Sequence, residues 1–376
     1  MKLQILQENF AKALSIASRF TSSRAQLPVL SNVLLSAREN KLLVSATNLE
    51  TSVAISIGAQ VKEKGELTVP SKVIAETVAN LAPGTLELES EKEHLKITRQ
   101  NFSSKVLGMN SSDFPEIPQT VNKAECLVIS LSDLAKALSQ VIYSCSIDES
   151  RPILTGVLFI FEKNSLSLVA TDGFRLSQKT IVLGKAVKSQ KIILPKGVLL
   201  ELSRLEEEGD ELAFGQRQKE NQVLFACSKV LLSSRVLEGE FPDFAKIIPK
   251  TSVYKVLVDK EDFLRAIKLA SVFARDSANI VKLNLRKDSV KLSAESSQAG
   301  SQEMTIEAKT DPTPPEASQG EGFEIDFNYR FLEDFLREAP GEEVLMQFTN
   351  ASSPGVFTDP KDPNYLHLIM PVKIQG

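Results

Sequence analysis

Residues able to do acid–base, nucleophilic or metal chemistry are sparse in this chain. Only two histidines occur, His94 and His367. His94 lies in Glu93-His94-Leu95-Lys96, an alternating stretch that reads as a strand with the imidazole at the surface. Three cysteines, Cys126, Cys145 and Cys227, are odd in number and far apart, which suits buried thiols in a reducing compartment better than a disulfide or a metal set. No Ser…His…Asp order, His-rich cluster or Gly-rich phosphate loop is present. The carboxylates are spread along polar stretches, and two of them would form a catalytic pair only if the fold brought them together. The expectation is a protein with no catalytic residues, no metal and no cofactor.

The basic residues are more informative. Lys12, Lys136 and Arg265 recur at one position of a repeated segment, and Lys72, Lys196 and Arg330 at another. Lys and Arg favour helices and solvated faces on their own account. Basic side chains at equivalent places in repeated helices also make a surface that can gather phosphates.

The elements that carry them repeat with a period near 125. Asn9-Phe10-Ala11-Lys12-Ala13-Leu14-Ser15 recurs as Asp133-Leu134-Ala135-Lys136-Ala137-Leu138-Ser139, and more loosely as Asp262-Phe263-Leu264-Arg265-Ala266-Ile267-Lys268. Pro28-Val29-Leu30-Ser31-Asn32-Val33 matches Pro152-Ile153-Leu154-Thr155-Gly156-Val157, and Ala46-Thr47-Asn48 matches Ala170-Thr171-Asp172. Such a period is domain-sized. The expected domains are 1–124, 125–252 and 253–376.

Each copy opens with a short alternating strand: Lys2 to Leu6, Leu127 to Leu131, Tyr254 to Val258. A helix follows, with an apolar stripe such as Phe10, Ala13, Leu14 and Ala17. Asn9, Asp133 and Asp262 stand near its start, where a side chain can accept from an unpaired amide. Alternating strands come next, then a second helix after Pro70, after Pro195 and near Asn328. Residues 309–322, rich in Pro, Gly, Ser and Glu, read as a mobile loop. The fold class is α+β, with mostly antiparallel sheet and two helices per copy.

Composition sets outer limits. The net charge of −4 over 376 residues, with 42% hydrophobic and 24% charged residues, is that of a soluble globular chain and not of a basic coat for nucleic acid. The longest apolar run is Val157 to Phe161, far below the roughly 20 residues of a bilayer span. The alternating N-terminus does not read as a signal peptide. The expected location is cytoplasmic.

Five segments on these repeats are similar to one family. They are Arg24 ahead of Pro28-Val29-Leu30, Arg151 to Gly156, Ala170 to Leu176, Glu240-Phe241-Pro242-Asp243-Phe244, and Leu368-Ile369-Met370-Pro371-Val372. Together they resemble the bacterial sliding clamps, the beta subunits of DNA polymerase III, over the whole length. The resemblance implies a head-to-tail homodimeric ring, helices lining the hole and sheets outside. Its function would be to encircle duplex DNA without reading sequence and to tether the replicative polymerase. Further partners would be the clamp loader and other proteins carrying short clamp-binding motifs.

The same resemblance implies a peptide pocket. Leu154 would contribute, with Thr171, Gly173, Phe174, Arg175 and Leu176. Pro242, Lys246 and Ile247 would follow from the Phe241-Pro242 segment, and Asn328 and Phe331 from the second helix of the third copy. The tail would add Leu368, Met370, Pro371, Val372 and Lys373. Phe174 stands where some relatives carry His, and Phe331 where many carry Tyr, which bears on peptide preference. Around Ser352 to Pro354 no residue is carried over. For DNA the resemblance implies Arg24 and Arg151 ahead of Lys12, Lys72, Lys136, Lys196, Arg265 and Arg330. For the dimer it implies Ser104 and Val106 against Val272 and Phe273, the last of which also suits a core. Two other functions fit such repeats: a clamp paralogue conferring resistance to a clamp-binding inhibitor, and an interaction scaffold that does not bind DNA.

Overall fold

The computed structural model describes residues 1–22, 27–122, 125–205, 209–311 and 323–373, with only the backbone at 218. The first copy contains β1 (Lys2–Leu6), α1 (Gln7–Ser18), β2 (Asn32–Arg38), β3 (Lys41–Thr47), β4 (Thr51–Gly58), β5 (Gln60–Glu63) and β6 (Gly65–Pro70). It continues with α2 (Ser71–Ala79), β7 (Thr85–Glu91), β8 (His94–Arg99) and β9 (Phe102–Leu107). The second has β10 (Leu127–Ser130), α3 (Leu131–Ile142), two long strands β11 (Gly156–Thr171) and β12 (Arg175–Pro195), α4 (Lys196–Ser203), β13 (Glu211–Arg217), β14 (Gln222–Cys227) and β15 (Val230–Arg235). The third runs β16 (Tyr254–Asp259), α5 (Lys260–Ala274), β17 (Ile280–Leu285), β18 (Ser289–Ser296), β19 (Gly300–Asp311) and β20 (Phe323–Asn328). It ends with α6 (Tyr329–Glu338), β21 (Glu343–Phe348), β22 (Gly355–Asp359) and β23 (Asp362–Ile369). All strand pairs are antiparallel, so the described residues give the α+β class with two helices in each copy.

The first helices form because their apolar residues recur at helical spacing. On α1 the buried positions are Gln7, Phe10, Ala13, Leu14, Ile16 and Ala17, and Lys12 is left exposed. Their starts lie two residues earlier than Asn9, Asp133 and Asp262 suggest. In α5 the cap is Asp259, whose carboxylate accepts from the Asp262 amide at 2.9 Å. Asp262 itself, inside the first turn, pairs with Arg265 at 2.9 Å. The expected loop at 309–322 also starts late: Lys309 to Asp311 belong to β19, and 312–322 lie outside the described residues.

By packing, the chain divides into two units that do not follow the repeats. Unit 1 is Met1–Ser132 with Gly197–Val236, and unit 2 is Asp133–Lys196 with Leu237–Gly376. Unit 1 holds a five-stranded sheet, β5-β1-β7-β8-β9, and an eight-stranded one, β10-β13-β14-β15-β4-β3-β2-β6. Unit 2 holds a ten-stranded array, β11-β12-β23-β22-β21-β16-β19-β18-β17-β20.

The reason is strand pairing across repeat borders. In unit 1 the last strand of the second copy, β15, pairs with β4 of the first, from Val230↔Ile55 to Ser234↔Thr51. In unit 2 the last strand of the third copy, β23, pairs with β12 of the second, from Tyr365↔Lys179 to Ile369↔Arg175. The register is identical: Lys179 stands 124 positions after Ile55. The core of unit 2 is aromatic, with Phe263, Phe327, Phe335, Phe348, Phe357 and Tyr365 all within 1% of full burial.

Candidate functional site

The turn between β11 and β12 builds the site. Thr171 Oγ1 donates to the Arg175 carbonyl at 2.6 Å and accepts from the Gly173 amide at 3.1 Å. Asp172 Oδ1 accepts from the amides of Phe174 at 2.8 Å and Arg175 at 3.0 Å. Gly173 takes φ 95°, the left-handed region where a side chain is strained. The turn therefore pushes Phe174 outward, to 62% exposure. Its carbonyl accepts from the Met370 amide at 2.8 Å, which ties the C-terminal tail to the turn.

Beside this turn is a cavity of about 120 Å³. Leu154, Thr171, Gly173, Phe174, Arg175, Leu176, Pro242, Ile247, Leu368 and Met370 line it, ten of the sixteen residues named for a pocket. Asp243, Phe244 and Pro354 line it as well and were not named. Phe244 sits two residues after Pro242 and meets Phe241 edge-on, an aromatic pair visible in Phe241-Pro242-Asp243-Phe244. Pro354 falls where no residue was carried over.

Six named residues lie outside the lining. Lys246 is exposed and pairs with Asp243 at 2.9 Å, and that bond raises its pKa. Asn328 caps α6, its Oδ1 accepting from the Arg330 amide at 3.0 Å. Phe331 lies under the Arg175 guanidinium, 4.5 Å from ring centre to Cζ. Pro371, Val372 and Lys373 turn away along β20, where the Val372 amide donates to the Asp326 carbonyl at 2.8 Å. The side chain of Asp326 has its pKa raised, chiefly by burial.

Arg175 is a cation at the cavity wall, and each of its guanidinium nitrogens is engaged. Nε donates to Asp172 Oδ2 at 3.1 Å, Nη1 to Asp334 Oδ2 at 2.6 Å and Nη2 to the Tyr143 carbonyl at 2.7 Å. Behind it lies a buried polar network. Ser177 Oγ bonds Ser144 Oγ at 2.7 Å and His367 Nδ1 at 2.8 Å, and Tyr143 Oη bonds Tyr365 Oη at 2.6 Å. His367 is stacked on Phe335 at 5.4 Å. Burial, aided by the Arg175 charge, lowers its pKa to about 3, so the ring is neutral. Burial pushes the Cys145 thiol up to about 12, which leaves it protonated and inert.

The basic candidates fall out differently. Arg24 lies outside the described residues. Arg151 sits at the pocket turn: it pairs with Asp148 at 3.3 Å, and a Cβ on Gly173 would come within 3.4 Å of its Nη1. Lys12, Lys72, Lys136, Arg265 and Arg330 are exposed, while Lys196, first residue of α4, is half-buried. Of the dimer candidates, Ser104 is half-buried on β9, Val106 points into the core at 6% exposure, Val272 is 55% exposed and Phe273 packs partly against the core. Among the described residues no group of three or more His, Cys, Asp or Glu is placed to hold a metal ion, and no helix is long and apolar enough to cross a membrane.

The comparisons with known proteins agree along the whole chain. Three family models match: the N-terminal domain of the DNA polymerase III beta subunit over 1–118, its central domain over 128–243 and its C-terminal domain over 245–373. The curated beta sliding clamp of Staphylococcus aureus is 27% identical over 386 aligned positions, covering 99% of each chain. The DNA polymerase sliding clamp of Bacillus subtilis is 26% identical with TM-score 0.92, covering 100% of this chain and 99% of that one. The DNA polymerase III beta subunit of Thermotoga maritima is 25% identical with TM-score 0.90, covering 99% of each chain.

Proposed function

The chain belongs to the DNA polymerase III beta-subunit family and is a DNA sliding clamp, and we propose that it works in the cytoplasm as a head-to-tail homodimeric ring without chemistry of its own. The three repeats, 1–124, 125–252 and 253–376, act as its clamp domains, six in the dimer.

The supporting observation is the junction register. Each border inside the chain is closed by the last strand of one copy pairing with the strand after the turn of the copy before it. Among the described residues this leaves β9 with one open edge and the start of β19 with another. These are the two strands that the same rule would join. Phe102 follows the two-residue β8–β9 turn as Val230 follows the β14–β15 turn, and Val230 faces Ile55. Val44, Leu168 and Leu292 stand 124 positions apart, and their hairpin partners Ile55, Lys179 and Met304 place Phe102 opposite Met304 of the partner subunit. Pairing both edges twice closes a ring and covers these junction edges. Ser104 then joins through its backbone, while Val272 and Phe273 flank the contact.

Within the ring, Lys12, Lys72, Lys136, Lys196, Arg265 and Arg330 hold phosphates weakly, without base readout, and the clamp slides. Arg24 and Arg151 contribute from loops. The apolar cavity takes short motifs of the polymerase, the clamp loader and other DNA-handling proteins. Tethering raises the polymerase's effective concentration at the primer end. Retention on DNA tests this. Clamp loaded on nicked circular duplex stays bound and is shed when the circle is cut. Equal retention on circular and linear DNA would overturn the topological mechanism.

A further inference from the structure

We infer that Asp334, a residue outside the cavity, sets which ligands the cavity accepts by adding a second carboxylate to Arg175, which makes that group net negative. This rests on the cavity being a peptide site.

The argument starts from the guanidinium. Arg175 is the one cationic group in a lining otherwise made of apolar side chains, Thr171, Gly173 and Asp243. A free arginine there would recruit a carboxylate as a two-pronged partner. This one has two acceptors already. Asp172 takes Nε from the turn, and Asp334 takes Nη1 from α6, 159 positions away in sequence. The Tyr143 carbonyl takes Nη2, and the faces of the guanidinium lie against Phe331 at 4.5 Å and Tyr143 at 5.3 Å. The Arg175 side chain is only 11% exposed.

Two carboxylates on one guanidinium leave the group negative by one charge. Asp243 at the rim is balanced by Lys246. A ligand carboxylate entering beside Arg175 therefore meets two like charges, and Arg151, the cation at the same turn, is paired with Asp148. The cavity selects uncharged, apolar anchors, and Asp334 is what keeps it so. Asp172 alone would leave the guanidinium neutral, one positive charge against one negative, and it is Asp334 that makes the group net negative. Asp334 is a positioning and selecting residue, acting through Arg175.

The experiment compares two short peptides with apolar anchors that differ at one residue, Asn in one and Asp in the other. Their affinities for the full-length protein are measured by fluorescence anisotropy, and the readout is the ratio of the two. In Asp334→Asn the side chain keeps its shape and a carbonyl acceptor but loses its charge. The ratio should move toward the acidic peptide by roughly tenfold, and Asp334→Glu should restore it. Asp172→Asn acts on the same guanidinium and should shift the ratio the same way, which keeps the test decisive if one variant folds poorly. With the Asn peptide binding the wild type, a preference over the Asp peptide that is unchanged in both Asn variants overturns the inference. Failure of the Asn peptide to bind the wild type would instead overturn the peptide-site reading, and the role of Asp334 with it.

Discussion

The two junctions between repeats share one backbone and oppose each other in polarity. In unit 1, Val53 faces Leu232, both fully buried, and on the other side of the ladder Ser52 and Ser233 share a hydroxyl bond of 2.7 Å. In unit 2 the corresponding pairs are Ser177 with His367 and Leu176 with Leu368. The apolar pair and the polar pair have changed faces. Even the turns agree: Thr47 Oγ1 donates to the Thr51 carbonyl at 2.9 Å, as Thr171 Oγ1 does to Arg175, and the Arg235 amide reaches the Glu50 carbonyl at 2.9 Å, as Met370 reaches Phe174. A ladder carries two independent faces, because side chains alternate. One set of exchanges turned a closing seam into an apolar cavity wall in front and a buried hydroxyl–imidazole network behind.

That contrast can be broken by copying the first junction into the second. Leu368→Ser, which installs the equivalent of Ser233, should cost about 4 kcal/mol of stability through the lost side chain and a hydroxyl facing apolar neighbours. It should also abolish peptide binding. Denaturant titration measures the first effect, and a cost below about 1 kcal/mol would mean the face is not packed as described. Arg175→Thr, the equivalent of Thr51, should cost about 2 kcal/mol, because Asp172 and the Tyr143 carbonyl lose their partner while Asp334 reaches water.

His367→Leu, the equivalent of Leu232, sharpens the contrast through pH. In the folded wild type His367 stays neutral down to about pH 3. The unfolded chain takes up a proton near pH 6.5, so acidification between those values favours unfolding by up to about 1.4 kcal/mol per pH unit. Stability is full above pH 6.5 and declines below it. The leucine variant should lose that slope in a series of melting curves, and an unchanged slope would place the proton elsewhere. The smallest effect belongs to Lys246→Ala at the solvated rim, where neither the melting temperature nor peptide affinity should change measurably.

Much of this was legible in the chain because repetition is. The spacing of Thr47 and Thr171, Pro28 and Pro152, and the helix stripes announced three copies with two helices each. Gly173 to Leu176, neighbours in sequence that the resemblance assigns to a pocket, line one cavity. What stayed hidden acts at long sequence separation. Nothing around Asp334 distinguishes it from any other acidic helix residue until Arg175 is seen to reach it. His367 looked like an isolated histidine because Ser144, Ser177 and Tyr143 join it only across the seam. The tail misled by direction: Pro371 to Lys373 continue a lining segment in sequence but leave the cavity to follow β20, and no composition signal marks that bend.

The shared junctions also decide how this chain could be dissected. Each packing unit is assembled from two separated stretches of chain, and the second copy gives β10 and β13–β15 to one unit and β11–β12 to the other. A fragment ending at 124 would carry Thr51 to Ile55 as a bare strand edge, and a fragment of 125–252 would carry two such edges, Val230 to Ser234 and Arg175 to Lys179. Gene truncation at the repeat borders, where the sequence invites it, would yield pieces prone to pair with one another or with themselves.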